Sequence, residues 1–265
     1  MNKTYFIGDI HGNFRPLIFY VIHQKQLHDC YVFACGDIGM GFHKLNYYVD
    51  EFNRMNKKLS QHNIQLCLIR GNHDNPIFFT SETPLDVYYS NIHFIKDYEI
   101  LTINNHNILC IGGATSVDRI YRTENKTWWS KESVQEYDRN IVNENNSMLL
   151  DSVDIVVSHS APMFVSPKYE RISWMSDDDD IRAKNDRLIL SNVYFDICKN
   201  LKYWFHGHFH MHYETYVPND GFTEHEKALL TNGSMIMENE YDHGCKFVCL
   251  DMLEGMSGKI DLYEI

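Results

Sequence analysis

Tyr5-Phe6-Ile7-Gly8-Asp9-Ile10-His11-Gly12-Asn13 reads as a short buried strand that stops at a glycine and then delivers an aspartate and a histidine two residues apart. The pattern recurs twice. The apolar run Tyr31 to Cys35 leads into Gly36-Asp37-Ile38-Gly39, and the run Ile64 to Ile69 leads through Arg70 into Gly71-Asn72-His73-Asp74. Between these runs lie stretches with helical spacing. Residues 14–27 place Leu17, Phe19-Tyr20 and Val21 on one side, with Pro16 tolerable in the first turn, and residues 44–60 repeat Leu45, Tyr48-Val49, Phe52, Met55 and Leu59. This β-α-β-α-β order makes the chain an α/β protein with parallel strands and right-handed crossovers.

Farther along, runs at Ile108 to Ile111, Val153 to Val157, Lys202 to Phe205, Ala228 to Leu230 and Phe247 to Leu250 also read as strands, and residues 131–149 and 182–199 as helices. Strands at 92–95, 98–103 and 108–111, and again from 211 onward, are spaced closely enough to be antiparallel. Two of the later runs end in Ser158-His159-Ser160 and His206-Gly207-His208-Phe209-His210. Open α/β sheets bind ligands beyond the carboxyl ends of their strands, so all five turns are expected on one side. In Asp9-x-His11 and His208-x-His210 the donors sit at i and i+2, which point the same way in an extended chain. Asp9, His11, Asp37, Asn72, His159, His208 and His210 exceed the three or four protein ligands of a single zinc. Two divalent ions sharing a bridging carboxylate fit the count. A site of nitrogen and oxygen donors without thiolate suits Mn, Fe, Zn or Ni, with Mn2+ the first expectation.

The ordered set DxH, GD, GNHD, a lone His and GHxH, running from residue 8 to residue 210, resembles the calcineurin-like metallophosphoesterases. The resemblance implies a four-layer sandwich, two mixed β-sheets flanked by α-helices. It also implies Asp9, His11 and His210 on one metal, Asn72, His159 and His208 on the other, Asp37 bridging, and His73 as general acid or transition-state donor. Two divalent ions less the charges of Asp9 and Asp37 leave an excess near +2, suited to a phosphoryl group. Such ions acidify a bridging water for in-line attack, and no cysteine nucleophile is required. The expected activity is hydrolysis of a small phosphoester, a monoester first and a diester or nucleotide second. The rival from another class is a catalytically idle scaffold; such relatives lack the histidine or several ligands, and here all are present.

Departures from the pattern are informative. Protein Ser/Thr phosphatases of this superfamily have an Asp three residues after the bridging Asp, followed by an Arg; here those positions are Met40 and Gly41. Asp74 is expected to serve the turn rather than to orient His73. A replacement phosphate clamp is expected in Gly112-Gly113-Ala114-Thr115-Ser116-Val117-Asp118-Arg119, with Arg119, Arg122 and Asn72 as the substrate-binding candidates. Trp128-Trp129 is expected to split into one core and one surface residue. Asp177 to Asp180 reads as a helix start or solvated loop, because it lacks the alternating ligands of a calcium loop.

Composition bounds the rest. The 265 residues carry 24 Lys plus Arg against 36 Asp plus Glu, a formal charge of -12, which argues against tracking long nucleic acid. One domain over residues 1–265 is expected, with an insert at 160–205 that would cap the site. The first nine residues lack an apolar signal region, no run is long enough to span a membrane, and the seven cysteines are expected reduced, so the expected location is cytoplasmic.

Overall fold

The β-α-β-α-β reading holds in the computed structural model, which describes residues 3–85, 87–146, 150–237, 241–253 and 260–265. Strands β1 (Lys3–Ile7), β2 (Cys30–Ala34) and β3 (Ile64–Leu68) pair in parallel, linked through helix α1 (Phe14–Phe19), which runs on as a π-turn to Gln24, and helix α2 (Leu45–Gln61). β4 (Ile92–Phe94) extends this sheet parallel to β3, not antiparallel as the close spacing to the next strands suggested. The connection over residues 69–91 is long enough for a parallel return, and the next strand belongs to a different sheet.

That second sheet contains β5 (Glu99–Ile103), β6 (His106–Ile111), β7 (Ile155–Ser158), β8 (Tyr203–His206), β9 (Tyr213–Val217) and β10 (Cys245–Cys249), in the order β5-β6-β7-β8-β10-β9. β5 and β6 form the expected antiparallel hairpin; its turn residues Asn104 and Asn105 take φ of 51° and 65°, the left-handed pair that matches strand twist. β11 (Leu262–Glu264) closes the first sheet against β1. The outer helices are α3 (Arg139–Asn145), α4 (Asp177–Ile197) and α5 (Glu224–Thr231).

Three apolar layers show why the sheets stack. One lies between the first sheet and α1 and α2, through Leu17, Tyr48, Phe52 and Met55; another packs Ile189, Leu190, Val193 and Tyr194 of α4 against the second sheet. The third lies between the sheets, where Phe6 stacks on Phe205 with ring centroids 3.8 Å apart and Cys35, Cys67 and Cys110 are buried. Two mixed sheets between helical layers make the four-layer α/β sandwich. All seven cysteines are free thiols, and burial pushes those three well above their ordinary pKa.

Several expectations are corrected. Ala228 to Leu230 is helical, because Thr223 and Glu226 form a reciprocal capping box that starts α5, a T-x-x-E signal visible in the sequence. Of the helix expected at 131–149, only Arg139–Asn145 is helical, and residues 147–149 lie outside the described residues. α4 begins at Asp177, ahead of the expected 182: Ser176 caps it, and the four aspartates occupy the first turn, where the helix dipole favours negative charge. The segment 160–205 accordingly divides into a core helix and a loop over 161–176. No helix among the described residues is long and apolar enough to cross a membrane.

Candidate metal centre

The five turns converge, but not through extended backbone. His11, Asp37, His208 and His210 all adopt positive φ, at 47°, 46°, 69° and 50°. Non-glycine residues reach this region at a cost of about 1 to 3 kcal/mol each and stay there only when their surroundings over-determine them. Here the turns hold one another: the N–H groups of Ile10 and His11 donate to the carbonyl of Asp37, and the N–H of Gly12 to that of Ile38. Two glycines permit the approach. A Cβ at Gly71 would sit 2.0 Å from Asp37 Oδ1, and one at Gly207 would sit 2.1 Å from Asp9 Oδ1.

Asp9, His11, Asp37 and His210 place one ligand atom each within 4.8 Å of one another. His210 Nε2 lies 3.0 Å from Asp9 Oδ2 and 3.1 Å from His11 Nε2, and His11 Nε2 lies 3.9 Å from Asp37 Oδ2. The other face of Asp37 meets a second group: His159 Nε2 is 3.3 Å from Asp37 Oδ1 and 2.9 Å from Asn72 Oδ1, with the His208 ring 4.9 Å from that of His159. All seven sequence-derived donors are thus assembled around Asp37.

Their chemistry fits cations. Asp9 and Asp37 are buried, and their ion-pair partners among the described residues are all histidines. His159 Nδ1 donates to the carbonyl of Cys35 at 2.8 Å, which leaves an Nε2 lone pair aimed at the oxygen of Asn72. Asn72 is turned that way because its Nδ2 donates to Ser116 Oγ, which in turn donates to Glu132. In the tautomer with its proton on Nδ1, His159 Nε2 and Asn72 Oδ1 offer two lone pairs 2.9 Å apart, a spacing that suits a cation beside them. Burial raises Asp37, but His159, His73 and His11 and the N–H of His73 outweigh it and hold the carboxyl well below its usual range. Burial of the His208 ring keeps that imidazole well below its ordinary pKa, while the hydrogen bond to Asp9 raises His210.

His73 flanks the centre. Its N–H donates to Asp37 Oδ1 at 2.7 Å, its Nδ1 lies 3.8 Å from Asp37 Oδ2, and its Nε2 accepts from Arg122 Nη2 at 2.9 Å. Asp118 grips Arg122 through both carboxylate oxygens, at 2.5 and 2.8 Å. Arg122 is the partner of His73 that the sequence left unidentified. Asp74 does serve the turn, accepting the N–H groups of Ile38, Gly39, Met40 and Gly71, and burial and then nearby Asp37 push it up to about 6.

The rest of the expected clamp is differently employed. Arg119 pairs with Asp179 at 2.6 Å, near the start of α4, and lies over Trp128. Gly113 donates to the carbonyl of Arg70 and Gly112 to Asp97, and a Cβ on either would strike Arg70, so the glycine pair forms a packing seam and no anion cradle. Trp128 and Trp129 are both buried, against the expected core-and-surface split: Arg119 and Arg182 flank Trp128, and Phe42 packs edge-on to Trp129. His206 is a core residue whose Nε2 meets the Tyr213 hydroxyl. Sequence reading missed Ser116 and Glu132 as the residues that orient Asn72; neither stands near it in the chain, and no local pattern links them.

The sequence pattern of calcineurin-like phosphoesterases matches residues 3–212. No curated protein sequence matches the chain. Among solved structures, TT1561 of Thermus thermophilus aligns over 99% of this chain and 98% of its own at 10% identity and a TM-score of 0.49. A cold-active protein-tyrosine phosphatase of a psychrophilic Shewanella aligns over 89% and 74% at 12% identity and 0.33. A protein serine/threonine phosphatase from Saccharomyces cerevisiae aligns over 94% and 67% at 14% identity and 0.33.

Proposed function

The chain belongs to the calcineurin-like phosphoesterase family, and from that premise we propose that it is a binuclear metal-dependent hydrolase of a small phosphomonoester. The observation that carries the proposal is the convergence of histidine nitrogens with carboxylate and amide oxygens around Asp37, with His159 Nε2 at 2.9 Å from Asn72 Oδ1 and His210 Nε2 at 3.0 Å from Asp9 Oδ2. Asp9, His11 and His210 would hold one ion, Asn72, His159 and His208 the other, and Asp37 both. When bound, two divalent ions, Mn2+ first among them, supply the charge that receives the phosphoryl oxygens and lowers the pKa of the attacking water.

The chain's own residues do the rest. Asp37 fixes His73 through its N–H, and Arg122, held by both oxygens of Asp118, fixes the far ring nitrogen. His73 is thereby held at the edge of the centre, where Nδ1, the ring nitrogen left to carry the proton, would donate to a leaving-group oxygen. Arg122 is neutralised by Asp118, so the charge that suits a dianionic monoester better than a singly charged diester would come from the two ions. The loop over 161–176 borders the His208 side and would limit substrate size.

The test is hydrolysis of p-nitrophenyl phosphate and its bis ester with Mn2+ and after chelation. Metal-dependent turnover with the monoester preferred supports the reading; metal bound without turnover of either ester turns it into the idle scaffold. In His73→Ala, metal binding should persist while turnover of an alkyl phosphate falls by about 10^2 or more, and p-nitrophenyl phosphate, which needs little proton donation, should lose far less.

A further inference from the structure

A cavity of about 300 Å³ opens beside metal-ligand candidate His208, between the loop over 161–176 and the start of α4. Its size is at the lower end of organic-ligand pockets. Two buried charges stand in its wall, and both are already engaged. Arg187 spends its donors on the carbonyls of Ala161, Pro162, Val165 and Pro167, with its guanidinium over the Phe209 ring. Asp186 accepts from the Val134 N–H and meets Thr115 Oγ at 2.6 Å. Neither is placed to bind a second phosphate. The wall also holds Thr115 and Tyr169, engaged with Asp186 and Asp180, buried Ser160, and exposed Lys168 and Glu170; most of the rest is apolar, with Ala114, Val117, Ile172, Met175, Ala183 and Phe209.

We infer that this cavity receives the organic part of the substrate and that the substrate class is a phosphomonoester of an alcohol bearing a flat, largely apolar aromatic group. The inference rests on the phosphoesterase reading, because it takes the phosphate to sit at the metals beside His208. A sugar or polyol phosphate would bring hydroxyls to a wall whose buried charges already have partners, and unpaired polar groups are costly there. An aromatic ring instead exchanges water for apolar contact.

The experiment compares 2-(1-naphthyl)ethyl phosphate with 2-methoxyethyl phosphate on Mn2+-loaded enzyme, two esters of alcohols of similar acidity, so that leaving-group chemistry largely cancels in the ratio. The expected result is a kcat/KM at least about tenfold higher for the naphthyl ester, carried mainly by KM. Ala183→Phe, which fills the cavity, should bring the ratio toward one, and the nearly isosteric Val117→Thr should lower it part of the way. A wild-type ratio near one with clear metal-dependent turnover overturns the pocket assignment and leaves the phosphoesterase reading standing, as does a preference that both variants retain. No turnover of either ester removes the phosphoesterase reading and the pocket with it.

Discussion

The two halves of the candidate metal centre are built differently. Around His159 the donors are sealed: its side chain is 0% exposed, its Nδ1 is tied to a backbone carbonyl, and Asn72 is oriented by Ser116 and Glu132. Around His210 the site is open, with 41% of that side chain exposed and its ring nitrogen meeting Asp9 and His11, themselves candidate ligands. The sealed half is pre-organised by groups that are not ligands; the open half is organised by its ligands alone. An ion therefore meets a sealed pocket on one side and a more exposed one on the other, so the sealed half should bind first and release last.

Removing one piece from each half gives the largest effect. His210→Ala should abolish binding of the more weakly held Mn2+ while the tighter one remains, and Ser116→Ala should weaken the tighter site by about 10 to 100-fold through Asn72. Equilibrium dialysis and Mn2+ EPR would read both; if either variant loses both ions together, the halves are not independent. A smaller effect separates the two arginines. Arg119→Ala should cost about 1 kcal/mol of stability, from its ion pair and its contact with Trp128, with no change in KM for a phosphomonoester. A raised KM would return Arg119 to the substrate.

A further effect concerns pH. Burial pushes Asp186 up to about 7 from an ordinary 3.8, despite its bonds to Thr115 and Val134. Between those values the folded chain keeps a proton that the unfolded chain has released, so this group's contribution to stability falls as pH rises through that window and is constant above it. Asp186→Asn should remove that slope, and the gap between the two melting curves should change across pH 4 to 7 and then level off. Parallel curves would show that Asp186 does not titrate there.

How much was legible follows from the range of each signal. A strand that ends in glycine and then presents Asp, Asn or His is a local fact, and the seven donors were readable because each turn carries its own signature. The hairpin at Asn104-Asn105 and the start of α5 at Thr223 are also locally encoded, though the second is masked by the apolar run that follows it. The extended i, i+2 geometry failed at His11, His208 and His210, because their left-handed backbone is imposed by neighbouring turns and not by their own propensity. Arg119 and Arg122, three residues apart, looked equivalent as sequence, yet one turns to Asp179 and the other to His73.

By itself the sequence determined the parallel strands β1 to β3, the order and identity of the donors, and through them the family. These depend on hydrophobic periodicity and turn chemistry within a few residues. Only the tertiary structure decided what orients Asn72 and His73, and that a cavity opens beside His208. Each of those depends on stacking two sheets, so that segments as far apart as Asn72 and Glu132, or His208 and Ala183, meet across space. Packing of that kind is fixed by the whole core, and no short stretch of the chain contains it.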